Sequence, residues 1–168
     1  ALRMNGAAVP SVAEGDLAAF RLGMKCFFEE GRALAGLNHP NVVRVLNFFR
    51  ANETVYMAMR YERGRTLAEH IQARHGPLRE EWVRRTFSQL LNGLREVHSN
   101  RLLHLDIKPA NIYVRNDGTP VLIDFGATRQ TLGAEANHAL PMMYTPGYAS
   151  PEHHRGRELL GPWSDIYS

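Results

Sequence analysis

The order of elements legible along the 168 residues predicts an α+β fold. Three observations carry that expectation. Apolar or small residues recur at spacings of three and four through Phe20, Met24, Phe27, Gly31 and Leu34, and again through Trp82, Thr86, Leu90, Leu94 and Val97, the period of amphipathic helices. Two pairs of short β-prone runs are each joined by a tight-turn sequence. Helices and hairpins then follow one another in blocks, without the strict strand–helix alternation of a parallel sheet.

Taken in chain order, residues 1–15 contain Gly6, Pro10 and Gly15 without periodicity and read as a loop. Asp16 can cap the first helix, and Pro40 ends it by disfavouring helical geometry at His39. Arg44 to Arg50 and Thr54 to Met59 read as strands joined through Ala51, Asn52 and Glu53. Thr66-Leu67-Ala68-Glu69 is a capping box and should open a short helix. A longer helix follows Gly76-Pro77. Then "IYVR" and "PVLID" flank Asn116-Asp117-Gly118-Thr119, a strong hairpin signal. No internal repeat is visible.

Composition narrows the function class. Apolar residues make up 44% and charged residues 22%, which fits a globular domain and not a disordered chain. The net charge is +3, with arginines spread from Arg3 to Arg157 and no dense basic run, so a nucleic-acid surface is not expected. Cys26 is the single cysteine, which excludes an internal disulfide and favours a reducing compartment; on a helix it reads as a small packed residue. Neither a signal peptide nor an apolar run long enough to span a bilayer is seen. The expectation is a cytoplasmic segment without membrane contact of its own, although an anchor outside it would be compatible with the sequence.

The chemistry concentrates in "HLDIKPANIYV", residues 104 to 114, and in "DFG", residues 124 to 126. These stretches stand at the two ends of the second hairpin. Antiparallel pairing brings residues 111 and 124 toward each other, so Asn111 and Asp124 could share one hard cation through oxygen ligands. Asp106 is then left to handle a hydroxyl proton, and Lys108 adds a positive charge beside them. This set suits phosphoryl transfer, in which the protein positions groups and neutralises charge on phosphate oxygens. Taken singly, Asp106 or Asp124 reads as a turn or cap aspartate. The set together does not.

With these motifs the chain resembles the protein kinases, and among them the bacterial Ser/Thr kinases. "HLDIKPANI" is similar to the family's catalytic loop, "DFG" to its metal-binding motif, "TPGYASPE" (145–152) to its peptide-positioning loop, and "WSDIYS" (163–168) to the start of the large lobe's central helix. The resemblance implies a two-lobed fold with 1–59 in the small lobe, 60–64 as hinge and 65–168 in the large lobe. It implies ATP and Mg²⁺ as cofactors and a protein Ser/Thr hydroxyl as acceptor. Asp106 would orient the acceptor hydroxyl, Lys108 would contact the transferring phosphate, and Asn111 and Asp124 would hold Mg²⁺. Glu30 would be the ion-pairing helix glutamate. Met59 would be the gatekeeper, with backbone groups of Arg60, Tyr61 and Glu62 facing adenine. Thr145 would brace the acceptor pocket against Asp106 and Lys108 in the loop that also holds Gly147. Asp165 would support the catalytic-loop backbone, and His104 would pack beneath Phe125 and link the lobes through Leu34. His138, His153 and His154 have irregular spacing and no cysteine partner, so they read as solvated loop residues and not as zinc ligands.

The sequence departs from the family pattern in three places. Leu105 stands where many kinases carry an arginine that captures an activation-loop phosphate, so activation is not expected to run through phosphate capture there. No Gly-rich loop is present, and the lysines are Lys25 and Lys108 alone, neither of them a small-lobe strand lysine. Glu152 lacks the downstream arginine it pairs with in relatives. The expectation is a piece of a longer kinase, inactive and unstable by itself because its helices lack apolar surface to pack on. The alternative is a complete non-catalytic, pseudokinase-like interaction module. A small-molecule phosphotransferase of kinase-like fold is disfavoured because such enzymes lack the "TPGYASPE" segment. The acceptor protein, the activating signal and the oligomeric state are not legible.

Overall fold

The computed structural model describes residues 2–4, 7–9, 20, 23–24, 28, 31–52, 54–74, 76–125, 129–130, 144–155 and 159–168. In chain order they form β1 (Leu2–Met4), β2 (Ala7–Val9), the helical stretch α1 (31–35), β3 (Val45–Ala51), β4 (Thr54–Met59), β5 (Gly64–Thr66), α2 (Leu67–Gln72), α3 (Glu80–Ser99), β6 (Leu102–Leu103), β7 (Ile112–Arg115), β8 (Pro120–Leu122), β9 (Arg129–Gln130) and α4 (Pro162–Tyr167). The architecture is α+β, as the sequence predicts. One expectation is corrected: within residues 1–15, β1 and β2 pair antiparallel, Leu2 opposite Val9. Three-residue strands are too short for alternation to register in a sequence. Asp16, Phe27 and Cys26 lie outside the described residues.

Both hairpins form where turn chemistry places them. β3 and β4 pair antiparallel with Ala51 opposite Thr54, and a register shift sits between Val45 and Asn47. β7 and β8 pair with Ile112 opposite Leu122, across the turn in which Asp117 Oδ1 accepts the Thr119 N–H at 2.8 Å. β5 adds to the other edge of β7. Thr66 then caps α2 through the predicted box: its hydroxyl accepts the Glu69 N–H at 3.2 Å, and Glu69 accepts the Thr66 N–H at 2.7 Å.

α3 buries Thr86, Leu90, Gly93, Leu94 and Val97, one stripe at spacings of three and four. The stripe faces a core that includes Leu34, Leu37, Val43, Val45, Leu102, Ile112, Val121, Leu122 and Phe125. Each such side chain withdrawn from water contributes about 1.5–3 kcal/mol before conformational entropy is counted. Gly93 lets α3 approach the chain after α1, since a Cβ there would stand 3.0 Å from the Asn41 Cβ and carbonyl oxygen. Asn41 in turn fastens that chain to β8. Its side-chain N–H donates to the Pro120 carbonyl at 2.7 Å, and its carbonyl accepts the Leu122 N–H at 2.8 Å. The β7–β8 hairpin is thereby held from three sides, and the segments entering and leaving it inherit a defined position.

Candidate active site

Residues 104–111 leave β6 and enter β7 through a 3-10 turn, Pro109–Asn111. Asp106 is the focus of this connection. Its Oδ2 accepts from Lys108 Nζ at 2.7 Å and from Asn111 Nδ2 at 2.8 Å, and its Oδ1 accepts from the Thr145 hydroxyl at 2.6 Å. Lys108 Nζ also donates to Thr145 Oγ1 at 2.7 Å, closing a triangle among three side chains. A second Asn111 N–H bond reaches the Asp106 carbonyl at 2.9 Å. Burial alone would raise the Asp106 pKa, but the hydrogen bonds from Lys108 and Thr145, the lysine charge and the Asn111 bond outweigh it, and the carboxyl is held below its ordinary range. Asp106 is therefore an anion that already accepts a hydroxyl donor.

The backbone under Asp106 is set by a residue some sixty positions away. Asp165, buried at the start of α4, accepts the N–H groups of His104 at 2.9 Å and of Leu105 at 2.7 Å. Leu105 has φ +63°, in the left-handed region that costs an L-residue free energy. His98 Nε2 lies 2.8 Å from the same carboxylate, and no pattern in the sequence ties His98 to residue 165. His104 is fully buried beneath Phe125, ring centroids 4.6 Å apart. Its Nδ1 can accept the Asp106 N–H at 3.4 Å while Nε2–H donates to the Ile123 carbonyl at 3.2 Å. Burial depresses the imidazole pKa and prevails over the opposing pull of Asp165, the Ile123 carbonyl, Asp106 and Asp124.

Asn111 and Asp124 meet the hairpin ends as the register requires. The Ile123 N–H donates to the Asn111 carbonyl at 3.0 Å, which puts Asp124 one residue beyond that bond, at φ +60°. Both Asn111 amide hydrogens face Asp106, so the amide oxygen remains as a ligand atom. Among the described residues no group of three or more His, Cys, Asp or Glu is arranged to hold a metal. A cation here would draw on one amide oxygen, one carboxylate and oxygens brought by a substrate.

Gly147 has φ +90° in the turn after Thr145, where the Tyr148 N–H donates to the Thr145 carbonyl at 3.2 Å. Met59 ends β4, and Arg60, Tyr61 and Glu62 bridge from β4 toward β5. The Arg60 N–H is spent on the Arg44 carbonyl at 2.8 Å, so its backbone offers only its carbonyl outward. Tyr61 projects into solvent at 84% exposure. Glu30, Lys25, Gly126, Thr128, Thr131 and His138 lie outside the described residues. One reading is corrected: His153 is buried, not solvated, within 2.9 Å of the Ser150 hydroxyl, because the 3-10 turn Pro151–His154 directs it inward. His154 is exposed and meets the Tyr144 ring at 4.8 Å. No helix among the described residues is long and apolar enough to cross a membrane.

Comparison with known proteins gives a consistent assignment. A model of the protein kinase domain matches residues 17–168. The serine/threonine-protein kinase PrkC of Bacillus subtilis (strain 168) is 32% identical over 142 residues, 84% of this chain and 22% of PrkC. The solved structure titled PpkA-294 apo form superposes with a TM-score of 0.74 at 32% identity, covering 92% of this chain and 54% of that one. The chain thus spans about a fifth of the length of PrkC and about half of the PpkA chain. It belongs to the protein kinase domain family, in the company of a bacterial serine/threonine kinase.

Proposed function

We propose that in the full-length protein this domain transfers the γ-phosphoryl group of ATP to a Ser or Thr hydroxyl of another protein. The observation that carries the reading is the Asp106 carboxylate, ionised and accepting the Thr145 hydroxyl at 2.6 Å with Lys108 Nζ 2.7 Å from both. An acceptor hydroxyl presented beside Thr145 would meet the same carboxylate. Asp106 orients it toward the phosphorus and takes its proton late, since a depressed pKa makes a weak base and the transition state is loose. Lys108, beside it, offsets negative charge on the transferring phosphoryl oxygens.

The family generally uses ATP with Mg²⁺, and the residues present fit that pair. The Asn111 amide oxygen and the Asp124 carboxylate are hard oxygen donors on adjoining ends of one hairpin. Mg²⁺ held there supplies charge neutralisation at the phosphates. The connection 60–64 would separate a small lobe (1–59) from a large lobe (65–168), with backbone groups of Arg60 to Glu62 toward adenine, Met59 as gatekeeper and Glu30 pairing in the small lobe. Thr145 and Gly147 would line the acceptor side. ATP as donor and a single cysteine suit a cytoplasmic domain.

The test is phosphoryl transfer from radiolabelled MgATP to a generic basic protein by the full-length protein and its variants. Asp106→Asn should lose transfer by about a thousandfold while retaining MgATP binding. Asp124→Asn should lose the Mg²⁺-dependent part of binding. Full activity in either variant refutes the roles, and a wild-type protein that binds no nucleotide points instead to a non-catalytic interaction module.

A further inference from the structure

Residues 60–63 are the covalent link between the β3–β4 sheet and the three-stranded β5–β7–β8 sheet. Besides the Arg60 N–H bond to the Arg44 carbonyl, they are held by β7, the strand that leaves the Asp106 loop. Arg115, at the end of β7, donates to both oxygens of Glu62, from Nε at 2.6 Å and from Nη2 at 2.7 Å. Its remaining nitrogen, Nη1, donates to the Pro40 carbonyl at 3.1 Å, in the chain that leaves α1. The Tyr113 hydroxyl donates to the Gly64 carbonyl at 2.8 Å and leans to the Glu62 carbonyl at 3.4 Å. The Asn116 N–H donates to the Arg63 carbonyl at 2.9 Å. The link's carbonyls at 62 and 63, and that of Gly64 just beyond it, thus face donors from β7 and its turn. Gly64 permits the approach, because a Cβ there would strike the Val114 carbonyl oxygen and the Arg115 Cα.

An exposed ion pair would contribute little to such an arrangement. This pair differs in two respects. Its side chains are only 23% and 13% exposed, and the guanidinium meets the carboxylate with two parallel N–H bonds, a geometry that restricts rotation as well as distance. One planar group therefore references the link, the chain after α1 and the strand continuous with Asn111 to a single point.

We propose that Arg115 is a positioning residue for the nucleotide: by clasping Glu62 and the Pro40 carbonyl, it holds the 60–63 link at the height where its backbone meets the adenine ring. This rests on the kinase reading above. Arg115 touches neither ATP nor acceptor and acts through Glu62, so its loss loosens nucleotide binding without altering the reacting groups.

The test uses full-length protein with Arg115→Met, Arg115→Lys, Glu62→Gln and the exchange Glu62→Arg/Arg115→Glu. Arg84→Ala serves as control, since it removes an arginine from an exposed pair on α3. Arg115→Met should raise the KM for ATP about five- to tenfold, the scale of one net hydrogen bond, with kcat and the acceptor KM within about twofold. Arg115→Lys keeps charge but not the fork and should fall between. The exchange variant should recover most of the affinity. Amide hydrogen exchange across 60–64, measured without nucleotide, should quicken about tenfold in Arg115→Met. If that variant fails to fold, Arg115→Lys and Glu62→Gln still read the same split. Unchanged KM for ATP, or a fall in kcat and thermal stability at constant KM, overturns this assignment and leaves the kinase reading intact. A wild-type protein that binds no MgATP removes both.

Discussion

Asp165 accepts the backbone N–H of Leu105 at 2.7 Å, and Leu105 holds φ +63°. These two facts belong together. A leucine enters the left-handed region at a cost of about 1–2 kcal/mol, and the buried carboxylate recovers it by satisfying two successive N–H groups that would otherwise be stranded. The conformation turns the Asp106 side chain toward Lys108 and Thr145, so a residue remote from the chemistry sets the direction of the acidic group.

Removing that support should be costly. Asp165→Ala leaves the His104 and Leu105 N–H groups without their acceptor, and we expect a loss of about 2–4 kcal/mol in urea unfolding of the full-length protein. Asp165→Asn keeps one acceptor oxygen and should lose less. A loss under about 0.5 kcal/mol in Asp165→Ala would show that the loop holds its shape by other means.

The Lys108–Asp106 bond should be visible in the pH dependence of transfer. The Asp106 pKa is depressed in the folded protein, so its anionic form persists below the ordinary carboxylate range near 4, and the stability it contributes is present above that value and lost only as pH falls through the lower folded value. Lys108→Met removes a donor and a charge. The acid limb of kcat/KM that belongs to Asp106 should then move to higher pH. An unmoved limb would mean that Lys108 does not set the ionisation of Asp106.

His104 predicts a dependence of the opposite origin. Its folded pKa is lowered by burial, so between the unfolded value near 6.5 and the lower folded one the unfolded chain binds a proton that the folded chain refuses. Stability should fall as pH drops below about 6.5, by at most about 1.4 kcal/mol per pH unit for this one proton. His104→Phe should flatten that component in denaturation series from pH 7.5 to 5.5. An identical slope in both proteins would assign the loss to other groups.

Leu105 carries a regulatory consequence. Its side chain is buried at 6% exposure and apolar, so it cannot pair with a phosphate. Thr128→Ala and Thr131→Ala should therefore retain activity within about threefold, whereas Thr145→Ala should lose it because its hydroxyl bonds both Asp106 and Lys108. Activity that depends on phosphorylated Thr128 or Thr131, measured with a phosphatase-treated sample, would contradict this.

Much of the fold could be read locally. The stripe from Trp82 to Val97 announces α3, Thr66 and Glu69 announce the cap of α2, and Asp117-Gly118 announces the β7–β8 turn, because each depends on residues within a few positions of one another. The identities of Asp106, Lys108, Asn111 and Asp124 were legible for the same reason. Asp106, Lys108 and Asn111 share one short motif, Asp124 stands in a second at the far end of the hairpin, and antiparallel pairing alone predicts that residues 111 and 124 converge.

The family resemblance sets Thr145 against Asp106 and Lys108 and Asp165 under the catalytic loop; what the tertiary structure decided is which atoms of these distant groups meet, and the Arg115–Glu62 pair that no motif announced. Thr145 reaches Asp106 across a separation of thirty-nine residues, Asp165 reaches Leu105 across sixty, and Arg115 reaches Glu62 across fifty-three. No periodicity or turn rule relates such pairs. His153 looked solvated because its neighbours are polar, yet a 3-10 turn buried it. By itself the sequence determined the local elements and singled out the candidate site residues, because that information is carried by residues close together in the chain. Partner choice waited on packing, because hydrogen-bond geometry depends on distances that exist only once β7, β8 and α3 have closed on a common core.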